Sequence, residues 1–211
     1  RLHGTPHIKL NLSPVPHLQA LHIWSSDLQQ LDLSPVRELR ILYCQDTDLT
    51  VLNLDPVPQL QMLYFDNNQL TRLDLKAVTQ LQELHCGFNK LIELNLHSVP
   101  QLKSLKCPGN LFTALDLTSV PELQELECGG HTLAKFDLSP VPSLKKLNCG
   151  VSKLPKLDLS PVANLQTLDC FNNELTSLDL SPVPSLQELN CQNNELITLD
   201  LNPVPELQKI I

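Results

Sequence analysis

One pattern returns every 21 residues without insertion or deletion, and it is clearest over residues 186–201: L-Q-E-L-N-C-Q-N-N-E-L-I-T-L-D-L. Its Leu-x-Leu signature begins at Leu10, Leu31, Leu52, Leu73, Leu94, Leu115, Phe136, Leu157, Leu178 and Leu199. A fixed period of this length marks a solenoid, in which each turn buries its apolar face only by stacking on its neighbours. No linker, Gly/Ser tract or charge run breaks the period. Residues 1–211 are therefore read as one continuous domain.

Each period divides into two similar halves of 10 and 11 residues. The first reads L-x-x-L-x-C-x-x-N-x, as in Leu81, Leu84, Cys86 and Asn89; the second reads L-x-x-L-D-L-S-P-V-P-x, as in Leu175, Leu178, Leu180 and Val183. Within each half the apolar residues alternate inward and outward, which is the period of a strand. Two strands per turn, each pairing with its equivalent in the next, predict a mainly β solenoid with two parallel β-ladders and about ten turns, roughly 45–50 Å long. The Ser-Pro-Val-Pro segment leaves no window for a helix on the second side.

Three inward columns follow from the phase. Cys44, Cys86, Cys107, Cys128, Cys149, Cys170 and Cys191 share one position, which Ile23 and Phe65 fill in two other turns. Stacked parallel side chains about 4.8 Å apart do not offer the opposed Cβ vectors that a disulfide wants, so these are expected to be buried free thiols. A second column holds Ser26, Thr47, Asn68, Asn89, Asn110, His131, Ser152, Asn173 and Asn194. An amide there can bond the backbone of its own turn and of the adjacent rung, and an unpaired buried group costs about 1–3 kcal/mol. The third column is valine in every turn, from Val15 to Val204, with proline on either side fixing φ and removing a donor.

These residues resemble the leucine-rich repeats, L-x-x-L-x-L-x-x-N-x-L, over the chain from about Ile8 to Ile210. The 21-residue length, the Cys and the Leu-Asp-Leu of the second half are similar to the bacterial IRREKO class. Ser, Thr and His in the Asn column, and Val where that class often carries a second Asn, depart from it. The resemblance implies a bacterial origin and a right-handed coil whose first strand lines the inner face.

Twenty-three acidic against 15 basic residues give a formal net charge of -8, which argues against a nucleic-acid partner and leaves basic proteins or cations. No apolar run approaches the roughly 20 residues needed to cross a bilayer, so the expectation is a soluble protein without membrane insertion. Secretion, display at the cell surface or delivery into a host is favoured over the cytoplasm. Both ends lack the polar caps that seal repeat arrays, which predicts a fragment of a larger protein or ends that pair with another copy.

Partners would be met at the outward positions of the first strand. The central outward column runs His22, Tyr43, Tyr64, His85, Lys106, Glu127, Asn148, Asp169 and Asn190. Ala20, Trp24, Ile41 and Met62, then Asp66 and Phe88, flank it. Trp, Tyr and Met gathered on one exposed face have the composition of a binding hot spot. The candidate partner-binding residues are therefore His22, Trp24, Ile41, Tyr43, Met62, Tyr64, Asp66, His85 and Phe88. Toward the C-terminus the face turns polar through Lys106, Glu125, Glu127, Lys146, Asp169 and Glu188, as in a solvated surface or a polar rim.

The second half presents a column of Asn11, Asp32, Asn53, Asp74, Asn95, Asp116, Asp137, Asp158, Asp179 and Asp200. Seven carboxylates at one strand separation would repel one another and hold protons or cations more tightly, but each position can also bond local backbone at the Ser-Pro turn, which is the structural expectation. No enzyme is predicted. Cys44-Gln45-Asp46 spells the Cys-x-Asp of bacterial ubiquitin ligases, yet Cys44 belongs to the core column. The histidines His3, His7, His17, His22, His85, His97 and His131 do not form a metal-ligand spacing. No cofactor or metal is expected. The expected function is a non-catalytic scaffold binding a protein or peptide on the inner sheet face near the N-terminal repeats. The alternative is a structural spacer or cell-surface adhesin that associates through its open ends.

Overall fold

A computed structural model describes residues 2–3, 10–26, 28–131, 133 and 136–211. His7 and the start of the repeat match at Ile8 lie outside the described residues, as do the side chains of His3 and Ser26. The chain winds as a parallel solenoid, and its strands form one 11-stranded sheet in sequence order. They are β1 (Leu2–His3), β2 (Ala20–Ser26), β3 (Ile41–Thr47), β4 (Met62–Tyr64), β5 (Glu83–His85), β6 (Ser104–Lys106), β7 (Glu125–Glu127), β8 (Lys146–Asn148), β9 (Thr167–Asp169), β10 (Glu188–Asn190) and β11 (Lys209–Ile210). The register joins residues 21 positions apart, from Leu2↔Ile23 to Leu189↔Ile210, so one period is one coil. No helix among the described residues is long and apolar enough to cross a membrane.

One turn shows how the coil closes. Leu81, Leu84, Cys86, Leu91 and Val99 are fully buried, and Leu94 and Leu96 are nearly so. Burying each such leucine is worth about 1.5–3 kcal/mol. The cysteine column behaves as expected of small hydrophobes: every cysteine is free, and all but Cys191 are buried. Burial pushes the Cys44, Cys128 and Cys170 thiols up to about 12.

The polar corner fastens rung to rung. Asn89 Nδ2 donates to the carbonyls of Cys86 and Gly87 in its own turn at 3.2 and 3.1 Å, and to Phe65 of the preceding rung at 2.9 Å. Its Oδ1 accepts the Leu70 N–H of that rung at 3.1 Å. Asn110 and Asn194 make the same set of contacts. One residue ahead of this column the backbone is left-handed at Asp46, Asn67, Phe88, Gly109, Gly130, Val151, Asn172 and Asn193, with φ between 52° and 78°. Glycine adopts that region freely; Phe88 and Val151 are held there by the corner at a cost of about 1–2 kcal/mol each.

The second half differs from the expectation of a second ladder. Its Leu-x-Leu segments do point inward, but the described residues there form no strand. The backbone is committed to two consecutive turns: Val99 N–H donates to Leu96 C=O and Leu102 N–H donates to Val99 C=O, both at 3.1 Å. The His97 N–H is taken by Asn95 Oδ1 at 3.0 Å. Proline on one or both sides of the valine in nine of the ten turns brings no donor at all. Few groups are left to reach the next rung, so alternation of side chains persists without pairing of backbones.

Candidate functional site

The two longest strands, β2 and β3, carry the aromatic part of the sheet face and pair from Ala20↔Ile41 to Ser26↔Thr47. Their register places His22, Tyr43, Tyr64 and His85 side by side across four strands. The rings form one continuous run. His22 stacks on Tyr43 with centroids 4.4 Å apart, Tyr43 stacks on Tyr64 at 4.0 Å and 3° between planes, and His85 meets Tyr64 edge-on at 4.3 Å. Trp24 leans against the start of the run, 5.4 Å from His22 and 6.1 Å from Tyr43.

This arrangement corrects the picture of open tyrosine anchors. Tyr64 is buried, 8% exposed, and its hydroxyl donates to Glu83. Burial, then Glu83 and Tyr43, push that hydroxyl far up, so it stays protonated as a donor. The flat faces of Tyr43 are taken by His22 and Tyr64. The sequence showed that these residues share a column but not that rings in register one strand apart satisfy each other.

The accessible apolar surface lies beside the run. Ile41 and Met62 are half-buried neighbours on β3 and β4, paired Ile41↔Met62, and Trp24 is half-buried on β2. Polar bonds hold the tryptophan side in place: Trp24 Nε1 donates to Gln45 Oε1 at 3.3 Å, Gln45 Nε2 donates to Asp66 Oδ2 at 2.6 Å, and the Gly87 N–H donates to Asp66 Oδ1 at 2.7 Å. Gln45 is the member that the sequence reading passed over; its place between Trp24 and Asp66 in the same column was the available signal. Phe88 stands apart from the run. It is 59% exposed in the corner after β5, and its ring lies where a Cβ on Gly109 would sit, 2.8 Å away.

Toward the C-terminus the face is polar and more built than a merely solvated surface. Lys106 pairs with Glu125 at 3.0 Å, and Ser104 donates to Glu125 at 3.1 Å. Burial pushes Glu125 up, but the Lys106 bond and charge outweigh it and hold the carboxyl below its ordinary range. Glu127 is raised, because burial exceeds the help it draws from Lys106. Burial likewise holds His85 below the ordinary histidine range, against the pull of Asp66.

The aspartate column of the second half takes the structural role. At all ten positions, from Asn11 to Asp200, Oδ1 accepts the N–H two residues on, at 2.9–3.0 Å. The expected rise in proton affinity is reversed. Asp32, Asp116, Asp158 and Asp179 lie below the ordinary carboxylate range, because bonds from Ser34, Thr118, Ser160 and Ser181 favour the charged form more than desolvation, joined at Asp158 by the charge of Asp137, opposes it. Among the described residues no group of His, Cys, Asp and Glu is arranged to hold a metal. The Cys44 thiol is buried and raised, the opposite of what a nucleophilic cysteine requires.

Residues 163–207 match the family described as Leucine Rich repeats (2 copies). The fold is that of a leucine-rich-repeat solenoid. No curated protein matches its sequence. Its fold is similar to the functional domain of InlJ from Listeria monocytogenes, which includes a cysteine ladder: TM-score 0.73 at 29% identity, over 95% of this chain and 54% of that one. It is also similar to a leucine-rich-repeat protein of Leptospira interrogans, with TM-score 0.86 at 22% identity over 94% of this chain and 56% of that one. YopM from Yersinia enterocolitica gives TM-score 0.80 at 23% identity, over 97% of this chain and 43% of that one. The last two likenesses are of fold alone. The chain spans about half the length of the InlJ domain and of the Leptospira protein. Leucine-rich-repeat folds in general act as interaction scaffolds.

Proposed function

We propose that the sheet face of β2–β5 binds a protein or peptide without catalysis, through Trp24, Ile41, Tyr43 and Met62, with His22, Tyr64, Asp66, His85 and Phe88 around them. The observation that carries this reading is the half-buried set of Trp24, Ile41, Tyr43 and Met62 on one face of a solenoid whose interior is already filled by leucine, cysteine and valine. Aromatic and aliphatic groups at a rim of polar side chains are what an interface core needs. The ring stack and the Trp24–Gln45–Asp66 bonds fix these side chains in advance, so little rotamer entropy is lost on docking. The carboxylates of Asp66 and Glu83 beside the apolar patch, and the net charge of -8, match a partner segment that carries a positive group next to an apolar one.

The test selects ligands for the wild-type protein from a displayed random peptide library and measures the same ligands against Trp24→Ala and Met62→Glu. The selected peptides should carry a basic residue beside apolar ones and lose about tenfold or more in affinity to either variant, with thermal unfolding unchanged. Tyr64→Phe, which keeps the buried ring, should bind as wild type. Peptides that bind both variants undiminished would remove this face as the site.

A further inference from the structure

In the column that fastens one rung to the next, one position differs in kind from the rest. Asparagine, serine and threonine do not titrate in the range a protein meets; His131 does. It is 4% exposed, its ring stacked on Phe112 with centroids 4.0 Å apart. Its two nitrogens have fixed and different tasks. Nδ1 lies 2.8 Å from the Cys128 carbonyl, which can only accept, so Nδ1 carries the proton. Nε2 lies 3.1 Å from the Asn110 backbone N–H, which can only donate, so Nε2 must present its lone pair. The geometry therefore admits the neutral Nδ1–H imidazole and no other form.

We propose that His131 is an acid-sensitive joint in the solenoid, at which protonation releases the rung of Asn110 from the rung of His131. A proton taken from water onto Nε2 replaces the lone pair by an N–H and leaves two donors facing each other. Asn110 N–H then has no acceptor in a buried corner, and a cation lies against the Phe112 ring and the core. Two turns away on either side the same corner is held by amides, Asn89 and Asn173, whose Oδ1 groups keep accepting at any pH. The joint falls between the aromatic rungs of β2–β5 and the C-terminal rungs, so its opening divides the array near its middle.

Among the described residues the titratable groups on the elements packed against His131 are the core thiols of Cys107, Cys128 and Cys149, all pushed up by burial and uncharged. Glu127, on its own turn, lies on the opposite, outer face of the sheet, while Lys90, two rungs before, and Lys153, on the next rung, are exposed. Burial holds His131 below the ordinary histidine value of 6.5. The opened or unfolded chain takes up the proton first as pH falls. The contribution of this corner is thus complete above 6.5 and is lost progressively below it.

The experiment is amide hydrogen exchange of the whole chain between about pH 7 and about pH 5, comparing wild type with His131→Asn, the residue this column most often carries. The protection factor of the Asn110 amide should fall about tenfold or more in wild type on acidification, and stay within about twofold in the variant. A fall of equal size in both, or in neither, overturns the proposal. Nitrogen NMR of the imidazole provides a readout that needs no variant. At neutral pH His131 should show the Nδ1–H tautomer. Titration near 6.5 with Asn110 protection unchanged would equally sink the idea.

Discussion

Each turn of this protein has two corners, and they do opposite work. At the corner of Asn89 a buried amide spends one bond on the Phe65 carbonyl and accepts one from Leu70, so two rungs are tied together. At the corner of Val99 the backbone bonds run from Val99 to Leu96 and from Leu102 to Val99, inside one turn. The flanking aspartate or asparagine also bonds only two residues along, as Asn95 does to His97. The first corner couples neighbours, whereas the second closes each coil on itself. A solenoid needs both, because a closed turn cannot bury its faces without a neighbour and a neighbour cannot be held without directional bonds.

The sharpest way to break this division is Asn89→Leu. It fills the corner but strands the Leu70 N–H, worth about 1–3 kcal/mol when buried and unpaired, and leaves the Phe65 carbonyl only its bond from Asn68, so about 3 kcal/mol of stability should go. The loss should show in exchange of Leu70, on the rung before. Val99→Ala is the matching change on the other side. It removes two methyl groups from a fully buried site and should cost about 2 kcal/mol, while exchange of amides on the adjacent rungs keeps its wild-type order. If Val99→Ala loosens Leu70 as much as Asn89→Leu does, the two corners are not different in kind. Denaturant melts give the magnitudes, and residue-resolved exchange gives their location.

The same contrast explains how much could be read from the chain alone. Column membership was legible: Cys86 and Cys107 are buried, Asn68 and Asn110 bond across the rung, and Asp158 bonds its own turn, each as its repeat position implies. Those properties depend on which way a side chain points, and a strict period fixes direction. What a period does not fix is how the backbone spends its hydrogen bonds. Leu94 and Leu96 alternate as a strand would, yet the turn bonds after Leu96 leave no second ladder. Nor does a column say what its own members do to each other. Tyr43 and Tyr64 share a face as expected, but stacking at 4.0 Å covers the surface they were expected to offer. The left-handed backbone at Phe88 and Val151 had no signal in those residues, since only the glycines and asparagines elsewhere in the column mark that conformation.

The central claim, one coil per 21 residues with the thiols inside it, is tested most directly by counting cysteines that react with an aromatic disulfide reagent in the native and unfolded protein. Six of the seven cysteines are buried and Cys191 is half-buried, all of them free. The account predicts a single reactive thiol in the native state, lost on Cys191→Ser, and all seven after denaturation without reductant. Several thiols reacting together in the native protein, or fewer than seven after unfolding, would contradict it.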